Sequence, residues 1–114
     1  MDNLNKSVEK TALGLPNGMF VRGVVVSNRA KAFKRKDGSG VSVVIEIEIA
    51  TQPGVVIWVT YHDPKTDPSV RVDGERVIEF PKLKEFTQVT ILARRVRSDE
   101  HTGQLTIKDG ELVV

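Results

Sequence analysis

The sequence predicts an all-β chain, a small five-stranded barrel with a long first hairpin. Three observations carry this expectation. Val41 to Thr51 alternates as a strand should, with Val41, Val43, Ile45, Ile47 and Ile49 on one face and Ser42, Val44, Glu46 and Glu48 on the other. Period-two alternation of that length is the signature of a half-buried strand. Further runs rich in valine and isoleucine recur along the chain, each bounded by Gly, Pro, Asn or Asp, the residues that punctuate strands with turns. No segment carries an apolar stripe at helical spacing over a convincing length. Several short strands expose edges, and closing them into a barrel removes those edges.

The elements follow in order. Residues 1–18 are polar and end in L-G-L-P-N-G, where Pro16, Asn17 and Gly18 mark a turn. Ser7 to Leu13 supports one helical turn at most, so a loose arm is expected over 1–18 and a barrel domain over 19–114. Met19 to Ala32 is the first strand. Gly23 lies inside it, and a glycine within a strand marks a bulge or bend of the kind a small barrel needs. The hairpin tip is Lys36-Asp37-Gly38-Ser39-Gly40, with Asp-Gly as a strong turn pair. It lacks the G-K-[ST] ending and the helix of a phosphate-binding loop. Val41 to Thr51 is strand two, and Gln52-Pro53-Gly54 turns the chain.

Strand three is Val55 to His62. Ile57, Val59 and Tyr61 share one face; Val56, Trp58, Thr60 and His62 share the other. With Ile57 and Val59 inward, Trp58 looks out of the sheet and Tyr61 sits in the core with its hydroxyl at the rim. Asp63 to Glu85 is the least regular stretch. It opens with two Asp-Pro pairs, offers a small hairpin from Val70 to Ile78 around Asp73-Gly74, and is broken by Pro81. Strand four runs from Phe86 to Arg97. Ser98 to Gly103 is a turn with Gly103 at positive φ. The closing strand comprises Gln104 to Lys108 and Glu111 to Val114, interrupted at Asp109-Gly110. The expected interior is Val43, Ile45, Ile47, Ile57, Val59, Val89 and Ile91, which alternation places on continuous apolar faces.

A chain of 114 residues suits one domain, large enough to bury roughly two-thirds of its unfolded surface. There are no cysteines, so disulfides, thiolate metal sites and cysteine nucleophiles are excluded together. No apolar run approaches the roughly 20 residues of a membrane span, and the first residues hold no signal-peptide apolar core. A cytoplasmic protein without membrane contact is expected. The net charge is only +2, so a polyanion site must come from local clustering rather than a global field.

Such a cluster exists. Arg29, Lys31, Lys34, Arg35 and Lys36 follow one another around the first hairpin with no acid among them, and Phe33 lies in their midst. Lysine and arginine there are placed to meet phosphates, and Phe33 to stack a base, an interaction worth about 1–3 kcal/mol. Arg94, Arg95 and Arg97 cluster late in strand four, where the planar guanidinium can hold two phosphate oxygens. Arg22 on strand one is a candidate for the same groove, and Trp58 a second stacking platform. Glu46 and Glu48 oppose the idea, since a phosphate backbone must avoid them. Against each candidate stands a plainer reading: a solvated hairpin tip, a solvated sheet edge, a covered tryptophan. Catalysis has little support. His62 and His101 both lie beside turn residues, and no convergent set of acids accompanies them. The acids Asp63, Asp67, Asp73 and Glu75 do not follow the calcium-loop spacing. No enzyme activity, metal or cofactor is expected.

F-V-R-G-V-V-V-S from Phe20, the basic tip with K-D-G-S-G, and the closing V-T-I-L-A-R-R-V-R and G-Q-L-T-I-K-D-G-E-L-V resemble the OB-fold single-stranded DNA-binding proteins of phages and plasmids. The resemblance covers Phe20 to Val114. It implies an OB-fold-like barrel whose strand 1–2 and strand 4–5 loops flank a ligand groove. It further implies single-stranded DNA binding with little sequence preference, in support of replication or packaging, a homodimer, and for a phage protein the host cytoplasm. Single-stranded RNA is a close variant of the ligand, because nothing in the chain recognisably reads a 2′-hydroxyl. The rival class is a protein-interaction or assembly module built on a β-barrel or sandwich.

Overall fold

The computed structural model describes residues 19–113; the expected arm over 1–18 lies outside them. Seven strands follow in order: β1 Met19–Lys34, β2 Val41–Ala50, β3 Val55–His62, β4 Arg71–Asp73, β5 Arg76–Glu79, β6 Gln88–Ser98 and β7 Leu105–Leu112. Five of them close into a ring, β1-β2-β3-β7-β6, while β4 and β5 form a separate two-stranded hairpin. The architecture is the small all-β barrel with a long first hairpin that alternation and turn spacing led us to expect.

β1 holds the ring together because it pairs on both sides in succession. Met19 to Val24 run antiparallel to β6, and Val24 to Lys34 run antiparallel to β2. Between the two halves the register shifts at Val25/Ser27. This bulge reverses the inward parity: Val21, Gly23 and Val25 are buried before it, and Ala32 after it. Gly23 sits where the strand coils across the barrel. A Cβ there would lie 2.4 Å from the Ala50 carbonyl oxygen and 2.7 Å from Ile49 Cγ2, so only a residue without a side chain lets β1 approach the end of β2.

β2 alternates as expected, with Val43, Ile45, Ile47 and Ile49 in the core. β3 carries the main correction. Its pairing sets Val43 opposite His62, Ile45 opposite Thr60, Ile47 opposite Trp58 and Ile49 opposite Val56. Directly opposed residues share a face, so Val56, Trp58, Thr60 and His62 point inward and Ile57, Val59 and Tyr61 outward. The expected parity of this strand is inverted. Ile57 is half-buried, Val59 is buried but outside the central core cluster, and Trp58 is only 8% exposed. The remaining expected core residues Val43, Ile45, Ile47, Val89 and Ile91 are all in the central cluster.

β6 starts later than expected. Phe86 adopts φ 62°, a left-handed conformation that no strand residue uses and that is rare for a bulky side chain. Its N–H donates to the Val25 carbonyl at 2.7 Å. β7 continues as one strand through Asp109-Gly110, and the register shifts fall at Arg94 of β6 and at Lys108 of β7. Gly110 is therefore not a turn residue. A Cβ at Gly110 would fall 2.8 Å from Ile107 Cγ2, 3.0 Å from Ile91 Cγ2 and 3.1 Å from Trp58 Nε1, so the glycine makes room for the indole.

Asp63 to Glu85 packs over the core of the barrel. It contains the expected hairpin, with Gly74 at φ 63°. Val70 joins the core, and Val72, Val77, Phe80 and Leu83 pack against it. Asn28 fastens this cover: its side-chain amide donates to the Leu83 carbonyl at 2.9 Å and accepts from the Leu83 N–H at 2.9 Å.

Candidate nucleic-acid interface

The outside of β1, β2 and β3 is set by the pairing just described. Lys31 lies opposite Val44, and Val44 opposite Tyr61. One row towards the tip, Phe33 lies opposite Ser42; one row away from it, Arg29 lies opposite Glu46, and Glu46 opposite Val59. Phe33 is 39% exposed and Tyr61 59%. Adjacent strands are about 4.8 Å apart, and residues two apart along a strand about 6.7 Å. Two strands across and two residues along put the rings about 12 Å from each other on one face. Lys31 stands in the same row as Tyr61, directly beside Phe33's row. Sequence reasoning placed Tyr61 in the core, because β3 is apolar on both faces; only the register with β2 reveals it as an outward aromatic.

The basic residues of the hairpin divide into two kinds. Lys31, Lys34 and Lys36 are exposed and have no ion-pair partner among the described residues. Arg29 is bound to Glu48 at 3.3 Å. Arg35 is built into the fold: it pairs with Asp63 at 3.0 Å and donates to Ser42 Oγ at 2.7 Å and Ser39 Oγ at 3.3 Å. It braces the tip against the chain that leaves β3, and Lys65 Nζ adds a bond to the Ser39 carbonyl at 3.0 Å.

The late arginines also divide. Arg94 is engaged by Glu111, with Asp109 4.0 Å away; the Glu111 carboxylate holds its guanidinium even more firmly protonated than usual. Arg95 and Arg97 are exposed and unpaired among the described residues. Arg97 lies opposite Thr106, and Thr106 opposite Ile57, which places it on the same outer surface as Tyr61. It lines a polar hollow of about 450 Å³ with His101, Thr106 and Lys108. Arg22 is on the outside of the β1–β6 pair, near Gln88. It lies about 23 Å along the strand from Arg29 at 3.3 Å per residue, so the structure does not bring it to the hairpin residues. Trp58 is buried, as its plainer reading had it, and faces an inner apolar hollow with Ile45, Ile47, Pro81 and Leu83 rather than the outer surface; its Nε1 has no hydrogen-bond partner among the described residues.

Two turns bracket this outer surface. Val43 lies opposite His62, so the β1–β2 tip is at the end of β3; Leu105 lies opposite Val56, so the β6–β7 turn is at its start. Aspartates hold these turns and the chain that leaves β3 by accepting backbone N–H bonds two or three residues on. Asp37 accepts from Ser39, Asp63 from Lys65, Asp67 from Ser69, and Asp99 from His101 and Thr102, at 2.9–3.0 Å. Hydrogen bonds from backbone and side chains together hold these carboxyls below their ordinary pKa of 3.8. The Ser39 hydroxyl leads at Asp37, the Lys65 N–H at Asp63, the Ser69 hydroxyl and then His62 at Asp67, and the Thr102 N–H at Asp99. A carboxyl whose folded pKa lies below its unfolded one stabilises the fold fully above the unfolded value and loses that contribution as pH falls through the folded one. Thermal melts are therefore expected to be flat from neutral pH to about pH 5 and to fall steadily below pH 3.8. A melting temperature unchanged at pH 2.5, roughly a unit below the ordinary value, would contradict these bonds.

No family model, no curated protein and no solved structure matches this chain.

Proposed function

We propose that the protein binds single-stranded nucleic acid, DNA in the first instance, with little sequence preference and without catalysing a reaction. The observation that carries this reading is the outer face of β1–β3, where Phe33 and Tyr61 are exposed beside Lys31. Single-strand binders combine a positive track for the backbone with aromatic rings on which bases stack. Lys36 extends the track to the tip, where Lys34 adds its charge from the opposite face of the hairpin, beside Val41, and Arg97 and Lys108 extend it across β7. The order of the ring supports the same reading. Its five principal strands follow 1-2-3-5-4 and return to 1. In OB-folds the face of strands 2 and 3, between the 1–2 and 4–5 loops, is the one that takes oligonucleotides. The resemblance in the first hairpin and the last adds a homodimer that supports DNA replication or packaging in the cytoplasm.

Trp58 is too deeply covered to report on this surface, so the test is the anisotropy of a labelled oligo-dT against a matched duplex over a salt series. Micromolar or tighter binding of the single strand, with log affinity falling linearly in log salt, is expected. Equal affinity for the duplex would remove the preference for single strands, and no salt-sensitive affinity at all would favour a protein-interaction module. Light scattering on the same samples reads the assembly, and a strict monomer would remove the dimer from the reading.

A further inference from the structure

We infer that Glu46 makes this face selective for bases carrying an exocyclic amine, so that cytosine-rich strands bind more tightly than thymine-rich ones. The inference rests on the single-strand reading above and refines its low sequence preference into a modest preference by base type. Glu46 lies at the centre of the outer surface, opposite Arg29 on one side and Val59 on the other. The register would pair it with Arg29, yet the Arg29 guanidinium turns to Glu48 at 3.3 Å, and the Ser27 hydroxyl donates to that same Glu48 oxygen at 2.9 Å. Glu48 is thereby occupied. Glu46, half-buried, has no ion-pair or side-chain hydrogen-bond partner among the described residues.

Its diagonal neighbours are Lys31 and Tyr61, within the roughly 7–8 Å that long side chains span across a sheet. A base stacked on the Tyr61 ring, with its phosphate at Lys31, turns an edge towards Glu46. An ionised carboxylate only accepts hydrogen bonds. It suits the amine at cytosine N4, a pairing that acidic side chains use in reading bases. Thymine presents a carbonyl oxygen in place of that amine, and the carboxylate repels it. Cytosine and thymine are otherwise alike in size and stacking surface, so the difference falls on this one group. A free carboxylate in the middle of a polyanion site is otherwise purely unfavourable, and base reading gives it a role.

The test compares oligo-dC and oligo-dT of equal length at pH 7.5, using wild type, Glu46→Gln and Glu48→Gln, with thermal melts confirming that each variant folds. The wild type is expected to prefer oligo-dC by about tenfold, the scale of one hydrogen bond to a charged group. Glu46→Gln is expected to bring the two affinities together, chiefly by strengthening oligo-dT. Glu48→Gln should leave their ratio as it is. Equal wild-type affinities would overturn the inference. So would Glu46→Gln strengthening both strands by one factor, which would make Glu46 a source of repulsion alone. Should Glu48→Gln move the ratio as far, the assignment to Glu46 is wrong. Failure of both strands to bind the wild type would remove the single-strand reading itself, and the selectivity with it.

Discussion

Replacing Lys31, Lys34 and Lys36 together by Ala is expected to weaken binding to every single strand alike. It should also lower the log–log salt slope by about 2, since each lost phosphate contact on single strands removes about 0.7. Arg35 belongs outside this set. Its guanidinium is spent on Asp63, Ser42 and Ser39, so Arg35→Ala should loosen the tip and lower the melting temperature more than any of the three lysine changes. Phe33→Ala and Tyr61→Ala should behave in a third way. Each is expected to cost about 1–3 kcal/mol of binding while leaving the salt slope nearly intact, because stacking releases few ions. Three signatures thus separate phosphate contact, tip bracing and base stacking on residues that are near neighbours in sequence. If the triple lysine variant binds oligo-dT as tightly as the wild type at every salt concentration, the hairpin is a solvated tip. The single-strand reading would then rest on Arg95 and Arg97, and an interaction module would become the better account.

The contrast between β2 and β3 shows how far the sequence could be read. In β2 one face is entirely Val and Ile and the other holds Ser42, Glu46 and Glu48, so alternation alone decides which side is buried. In β3 both faces carry large apolar residues, and periodicity has nothing to choose between them. The choice is made by pairing register, a non-local property: Ile47 is inward, Trp58 is opposite it, and so Trp58 is inward. The error matters for function because it exchanges Trp58 for Tyr61 as the aromatic offered to a ligand. Gly110 misleads for a related reason. Asp-Gly reads locally as a turn, and at Asp73-Gly74 it is one, but at Gly110 the missing side chain accommodates Trp58 from another strand. The split among the basic residues was equally hidden. Nothing in the string K-R-K says that only the middle residue finds an aspartate, because Asp63 lies beyond the next two strands. The turns, by contrast, were legible, since Asp and Gly act there on their own backbone.

Gly23→Ala is expected to have the largest effect on the fold, a loss of about 3 kcal/mol or more, at the upper end of what overpacking costs. The added methyl would meet the Ala50 carbonyl oxygen at 2.4 Å and the Ala50 carbonyl carbon at 3.0 Å. Both are backbone atoms of a paired strand, so relief requires β1 and β2 to separate where the ring changes partners. Gly110→Ala supplies the comparison. The three atoms nearest its methyl are all side-chain atoms, of Ile107, Ile91 and Trp58, at 2.8–3.1 Å, and side chains yield more readily than a sheet. About 1–2 kcal/mol is expected there. Urea unfolding followed by the single, buried Trp58 measures both changes, with the midpoint shift multiplied by the slope giving each difference. The indole of Trp58 should also respond to Gly110→Ala in the folded baseline, and not to Gly23→Ala. Should Gly23→Ala prove the milder of the two, the crossing of β1 over the end of β2 is wrongly placed. The outer face that this crossing positions, with Phe33, Lys31 and Tyr61 upon it, would then have to be drawn again.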